Sequence, residues 1–260
     1  MTEIVLNTDN ISVRADGKHL ISQISIQVKQ GQTLAVVGPN GAGKTTLLKA
    51  ISGDQALECG EVFLCGKAMT HWSIQEKAKM IASLPQFSLL NFPYSVHEVV
   101  SLGRIPHSTG YKLDQAIVTE AMKLMDITHL SERAYPQLSG GEKQRTQLAR
   151  VMTQIWREED APLRLLMLDE PTTALDLGHQ QQLMDAVKQF AHNGVAVLMV
   201  VHDINIAAKY ADDTLALSNG QCHAQGKTDT VLTQDMLREL FSSTLYTVQH
   251  PHTGKKAILI

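Results

Sequence analysis

What the 260 residues lack narrows the field before any motif is read. Long hydrophobic runs are missing: Val195 to Val201 is typical of the longest, about a third of the roughly 20 residues that a spanning helix requires. No membrane crossing is expected. Charge of one sign is not in excess either, since 23 Lys and Arg against 26 Asp and Glu leave a formal net charge of -3. That balance supplies no broad basic field to gather nucleic acid or an anionic membrane surface. The first residues carry Glu3 and Asp9 rather than basic side chains ahead of an apolar stretch, so no secretory leader is expected. Cysteine is scarce: Cys59, Cys65 and Cys222 are an odd number without metal-ligand spacing, and the expectation is three small buried apolar residues. Repeats, low-complexity tracts and flexible linkers are absent as well. With 43% apolar residues, the chain can bury a sizeable core as one large domain or two closely joined lobes.

What is present divides by period. Residues 4 to 33 alternate apolar and polar side chains around turn-formers, as in Ile24-Ser-Ile-Gln-Val28, the signal of half-buried antiparallel strands. From Leu34 the pattern changes to a short continuous apolar run, Leu34 to Val37, then a glycine-rich loop and a helical stretch over 44 to 52. That order is a strand, loop and helix unit of a parallel sheet. Helical spacing dominates 95 to 104, 113 to 125 and 142 to 156, with Leu113, Ile117, Ala121 and Leu124 as one stripe. Strand signals return at Leu165 to Leu168, Val195 to Val201 and Thr214 to Leu217, alternating with helical patterns at 178 to 191 and 203 to 210. Asn219-Gly220 marks a hairpin within 218 to 226, and Thr233 can cap a helix ending near Phe241. The expected division is an α/β core over 1–86 and 163–241, a helical subdomain over 87–162, and a tail over 242–260 that pattern leaves undetermined.

Three motifs carry chemistry. Gly38-Pro39-Asn40-Gly41-Ala42-Gly43-Lys44-Thr45, followed by Thr46, matches the phosphate-binding loop G-x-x-x-x-G-K-[ST] in the required place between strand and helix. Its glycines let backbone N–H groups converge on phosphate oxygens, and the helix N-terminus adds favourable partial charge. Lys44 is expected to reach the β and γ phosphates of ATP, and the Thr45 hydroxyl to bind Mg²⁺. Leu165 to Leu168 then empties into Asp169 and Glu170. Strand alternation points these two carboxylates opposite ways, with Asp169 toward Mg²⁺ and Glu170 as the candidate general base. Leu138-Ser139-Gly140-Gly141-Glu142 places a serine and two glycines at a helix start, a second anion-binding site.

That last segment, with Gln144 and Arg145, resembles the signature motif of ABC transporter ATP-binding subunits. Gln86 in Leu-Pro-Gln is similar to that family's Q-loop, Ala174-Leu-Asp176 to its D-loop, and His202 in Val-Val-His-Asp to its switch histidine. The resemblance spans roughly residues 4 to 226. It implies an α/β P-loop ATPase: a RecA-like parallel-sheet core, an N-terminal antiparallel β subdomain and a helical signature subdomain. It also implies a homodimer sandwiching two ATPs, in which Ser139, Gly140 and Gly141 contact the nucleotide held by Lys44 of the opposite copy. Gln86 is then expected to touch Mg²⁺ and water, Asp176 to organise the dimer seam, and His202 to contact the γ-phosphate. Lys44, Glu170 and His202 are the expected catalytic group; Thr45, Gln86 and Asp169 are the expected metal group.

The implied partner is a permease in two copies, approached by a periplasmic binding protein, with this chain peripheral on the cytoplasmic face of the inner membrane. Val99-Val-Ser-Leu-Gly-Arg-Ile-Pro-His107 and Val201 to Asp212 resemble importers of iron chelates, cobalamin and haem. The extension from Gln154 to Arg164 and the Leu175-Asp-Leu-Gly-His-Gln180 run are similar to haem-importing members, making haem the expected cargo and a ferric siderophore or cobalamin the alternative. Val96, Val99 and Val100, near the Q-loop, belong either to the permease-docking surface or to the core of the helical subdomain. His250 and His252 are expected to be ordinary tail residues rather than haem ligands. A soluble ABC ATPase acting on nucleic acid or ribosomes is disfavoured by the single cassette, and a scaffold without turnover by the presence of Glu170. One departure stands out. Where the family places an aromatic side chain against adenine, this chain has Val13, Arg14 and Ala15, with Arg14 the one planar group among them.

Overall fold

The computed structural model describes residues 3–86, 92–243, 245–249, 254 and 256–259. The N-terminal alternation folds as an antiparallel sheet. Strand β1 (Ile4–Ala15) pairs with β2 (Lys18–Ile24), with the short β3 (Gln27–Lys29) and with β5 (Cys59–Leu64), and β6 (Lys67–Ala68) extends the edge. The continuous apolar run becomes β4 (Thr33–Val37), buried at all five positions, as a strand covered on both faces must be.

Beside β4 lie β9 (Val195–Val200) and then β8 (Arg164–Asp169), also buried throughout. With β7 (Ile81–Leu84) at one end, and β10 (Asp213–Ser218) and β11 (Gln221–Lys227) at the other, they form a six-stranded sheet in the order β11-β10-β4-β9-β8-β7. Every pairing is parallel except β10 with β11, a hairpin closed at Asn219 (φ 48°) and Gly220 (φ 75°). Both turn residues have positive φ, the geometry for which Asn-Gly is suited. Period two sorts each strand between two cores. Leu165 and Met167 face the antiparallel sheet, together with α1 (Lys44–Ser52), whereas Leu166 and Leu168 face the helices on the other side.

After α2 (Ile74–Met80), the helical segment contains α3 (Val96–Ser101), α4 (Tyr111–Leu124) and α5 (Gly140–Gln154), with α5 packed on both others. Ser95 and Ser139 start α3 and α5 with reciprocal capping boxes to Glu98 and Glu142, which fixes these starts within a residue or two of their sequence expectation. Val96, Val99 and Val100 are each 0% exposed, so they form the core of this segment rather than a docking surface. Exposed apolar side chains nearby are Phe92, Tyr94 and Ile105. The extension after α5 is tied down by two buried arginines. Arg104 donates to the Thr153 carbonyl and to the Asp160 and Asp114 carboxylates, and Arg164 donates to the carbonyls of Ile155, Trp156 and Asn193.

The core closes with α6 (Leu177–His192), α7 (Ile204–Tyr210), α8 (Thr228–Val231) and α9 (Gln234–Phe241), the last capped by Thr233. A final hairpin, β12 (Tyr246–Gln249) with β13 (Lys256–Leu259), docks on α7, where the Asn205 amide pairs with both backbone groups of Ile258. Local pattern gave no sign of it. His250 and His252 lie outside the described residues. The cysteine expectation needs correction: Cys59 and Cys222 are exposed and Cys65 is half-buried. Cys59 begins β5 and Cys222 sits on the edge strand β11, where side chains on one face meet solvent. No helix among the described residues is long and apolar enough to cross a membrane.

Gly103 follows α3 at its crossing with α5, and a Cβ there would run into the Arg150 carbonyl and the Thr153 hydroxyl. Gly103→Ala should therefore push the two helices apart, costing about 1–3 kcal/mol as overpacking does and lowering the melting midpoint by several degrees. Thermal unfolding followed by circular dichroism reads this out; an unchanged midpoint would show that the contact gives way freely.

Candidate functional site

The C-terminal ends of β4, β8 and β9 open on one edge of the parallel sheet, and the loop from Gly38 to Gly43 bridges β4 to α1 there. Gly38 (φ 153°) packs so closely that a Cβ would strike the Leu217 carbonyl of β10. At Gly43 (φ 98°), a Cβ would come within 2.7 Å of the Leu20 carbonyl and of Ile21 Cγ2 on β2. Only glycine fits a positive φ pressed against backbone at these two points. The loop wraps Lys44, whose ammonium donates to the carbonyls of Gly38 (2.8 Å) and Pro39 (2.9 Å). A cation that closes on its own loop is positioned for anionic oxygens brought to the same place.

Beyond β8 the two carboxylates diverge. Asp169 is 3% exposed and accepts a hydrogen bond from the Thr45 hydroxyl, while its Oδ1 is buried without a hydrogen-bond partner. Glu170 adopts a left-handed backbone (φ 52°), a conformation costly for a non-glycine residue and concentrated at functional sites. The turn aims its carboxylate into the cavity. There Gln86 Nε2 donates to Oε2 at 2.9 Å, and His202 Nε2 lies 2.5 Å from Oε1. Both oxygens of Glu170 are thus engaged. Burial pulls Lys44 below the usual ammonium range, opposed by the nearby Glu170 and Asp169 charges. Burial likewise pushes Asp169 above the usual carboxylate range, opposed by its bond from Thr45.

These groups line one cavity of about 750 Å³, which contains Asn40 to Thr46 together with Gln86, Glu170 and His202. The structure therefore brings together the loop, the general-base candidate, Gln86 and His202, with Asp169 beneath Thr45. It does not bring Ser139, Gly140, Gly141 or Asp176 to that cavity. Ser139 caps α5, accepting from Glu142 N at 3.3 Å, and a Cβ on Gly141 would meet Leu175 Cδ2 at 3.1 Å. Asp176 caps α6 through His179 N at 2.9 Å and also meets His179 Nδ1 at 2.8 Å. The signature and D-loop residues thus form a second cluster, tied to the first where Gln144 Nε2 donates to the Pro171 carbonyl. Sequence reasoning missed His19 and Leu20, which line the cavity, and read Asn219 and Gly220, which also line it, only as a turn. The position of His19 and Leu20 could be read only through the tertiary contact of β2 with Gly43.

A divalent cation fits this chain on one ground. The Asp169 carboxylate keeps a buried Oδ1 without a hydrogen-bond partner and takes a bond from the Thr45 hydroxyl, a hard-oxygen pair suited to Mg²⁺. Among the described residues no group of three or more His, Cys, Asp or Glu converges.

Residues 21–173 match the ABC transporter family. The chain is 44% identical over 255 residues to the hemin import ATP-binding protein HmuV of Pseudomonas fluorescens, covering 98% of this chain and 99% of that protein. It is 45% identical over 252 residues to the protein of the same name from Gloeobacter violaceus, covering 96% and 92%. Among solved structures it superposes on a metal-chelate type ABC transporter in an inward-facing conformation with a TM-score of 0.81, at 26% identity over 99% of this chain and 97% of that one. A dimeric post-hydrolysis ATP-binding cassette bound to ADP and Pi has the same fold, with a TM-score of 0.74 at 22% identity, covering 86% and 98%.

Glu170→Gln retains the hydrogen-bonding shape but not the base, so hydrolysis should slow by about 10²- to 10⁴-fold while ATP still binds. Turnover at the wild-type rate would remove Glu170 from that role. A second expectation concerns pH. Hydrogen bonds from the Ser139 backbone and side chain hold the Glu142 carboxyl below its usual range. A depressed folded-state value means the stabilisation is present above the ordinary glutamate range and is lost as pH falls through the lowered one. The melting advantage of the wild type over Glu142→Gln should therefore be present at neutral pH, worth less than about 1 kcal/mol at a site that solvent reaches, and should vanish in acid. An advantage independent of pH would show that shape rather than charge makes the cap.

Proposed function

The chain belongs to the ABC transporter family, and we propose that it is the ATP-hydrolysing subunit of a haem importer, working as a pair beneath a separate permease. The observation that carries the activity is Glu170, a carboxylate aimed into the phosphate-loop cavity and touched there by both Gln86 and His202. The cargo rests on the relatives named for hemin import, which align with nearly the whole chain.

The loop N–H groups and Lys44 bind the triphosphate, with Lys44 exchanging its bonds to the Gly38 and Pro39 carbonyls for phosphate oxygens. Asp169, Thr45 and Gln86 would hold Mg²⁺, which would supply neutralisation of phosphate charge. Arrival of the γ-phosphate gives His202 a new partner and releases one oxygen of Glu170. That carboxylate then orients a water for attack and accepts its proton. The second cluster, Ser139 to Gly141 beside Ala174 and Leu175, completes the site in the partner copy. Its N–H groups at the start of a 15-residue helix suit an anion, and Asp176 lies at the seam. Motion passes from Gln86 to the helical segment as a rigid-body rotation, and docking falls to the exposed Phe92, Tyr94 and Ile105 rather than to the buried valines.

Reconstituting the chain with its permease in liposomes tests this reading. With Mg²⁺ and ATP on the chain's side, haem delivered by its binding protein should be taken up, and Lys44→Ala should abolish both uptake and turnover. Uptake of a ferric siderophore or cobalamin in place of haem would overturn the cargo and leave the motor intact.

A further inference from the structure

We propose that His19 is the base-stacking residue of the nucleotide site, its imidazole packing on adenine in place of the aromatic side chain missing from residues 13–15. The inference rests on the reading of this cavity as an ATP site. Each residue of the missing position is otherwise committed. Val13 is 0% exposed in the core. Arg14 donates to the Gly17 carbonyl at 3.2 Å and to Glu58 Oε1 at 3.4 Å, and Ala15 offers a methyl group. No Phe, Tyr or Trp lines the cavity among the described residues, and its two planar rings are His202 and His19. His202 is held against Glu170, at the end of the cavity where the γ-phosphate is cleaved. His19 is the ring left for the base.

Three contacts fix the backbone that carries that ring. The Ser22 N–H donates to the Gly220 carbonyl at 2.8 Å, and the Gly220 N–H donates to the Ala42 carbonyl of the phosphate loop at 3.1 Å. At Gly43 the loop abuts the Leu20 carbonyl so closely that no Cβ fits between them. Strand β2 is thereby pinned to the phosphate loop one residue away from His19. The ring itself is braced by Glu58, whose Oε2 lies 3.2 Å from its Nδ1 and whose other oxygen takes Arg14. Beside it Leu20, 38% exposed, gives the cavity mouth an apolar wall. A braced planar ring next to an uncovered leucine, on a strand fixed to the phosphate loop, is a surface for a flat base. Stacking on a π-face tolerates any base, so discrimination between ATP and GTP should be modest.

The test titrates the full chain with ATP and, separately, with inorganic tripolyphosphate, both with Mg²⁺, by calorimetry. His19→Ala should weaken ATP between about five-fold and about a hundredfold, the range of one stacked base, and leave tripolyphosphate affinity unchanged. His19→Phe should restore ATP binding. An ATP affinity for His19→Ala within twofold of wild type would overturn the proposal, as would a parallel loss for tripolyphosphate, which would mark His19 as a structural brace of the loop. Failure of the wild type itself to bind ATP would instead overturn the reading of the cavity, and the proposal with it.

Discussion

Two adjacent carboxylates at the end of a fully buried strand are the constraint around which this molecule is arranged. Strand β8 is inaccessible along its whole length, so Asp169 and Glu170 emerge where an unpaired charge is expensive. The fold resolves the problem by separating them. Asp169 goes down to Thr45 and the Lys44 charge, while the left-handed turn at Glu170 carries the second carboxylate up to Gln86 and His202. Each of these partners arrives from a different element: the start of α1, the loop after β7, and the end of β9. Adjacency of these elements in the sheet is thus what lets one carboxylate pair organise a site from four stretches of sequence.

The same geometry ties the polar groups of the site to one another. Lys44 is occupied by carbonyls of its own loop and Glu170 by two side chains. In the proposed reading an incoming triphosphate competes for these bonds and redistributes them. Gln86 precedes α3 in the chain and His202 precedes α7, so that redistribution would bear on two elements at once. Helix α7 in turn carries the C-terminal hairpin on Asn205, three residues beyond His202. The signature residues stand outside this circuit, packed on Ala174 and Leu175; in the proposed reading they complete the site of a second copy.

The sequence by itself determined the elements whose signals are local. The phosphate loop is a continuous motif between a strand and a helix, the Asn219-Gly220 hairpin needs two positive-φ residues in a row, and the starts of α3 and α5 are written in Ser-x-x-Glu capping boxes. Strand alternation predicts that Asp169 and Glu170 point apart, although the turn that carries Glu170 away lies just past the end of β8. Contacts between distant segments were settled only by the tertiary structure. That Val96, Val99 and Val100 face inward depends on α5 lying across them, since helical spacing marks an apolar face without saying what covers it. That Cys59 and Cys222 are exposed depends on where β5 begins and on β11 finishing at an edge. The C-terminal hairpin is held by Asn205 on Ile258 and by Lys256 on the Asp229 and Leu232 carbonyls, contacts between distant segments that lie beyond the reach of periodicity. The place of His19 was decided in the same way, by glycines at 43 and 220 that let β2 and the phosphate loop approach at backbone distance, a contact between chain segments that no local pattern encodes.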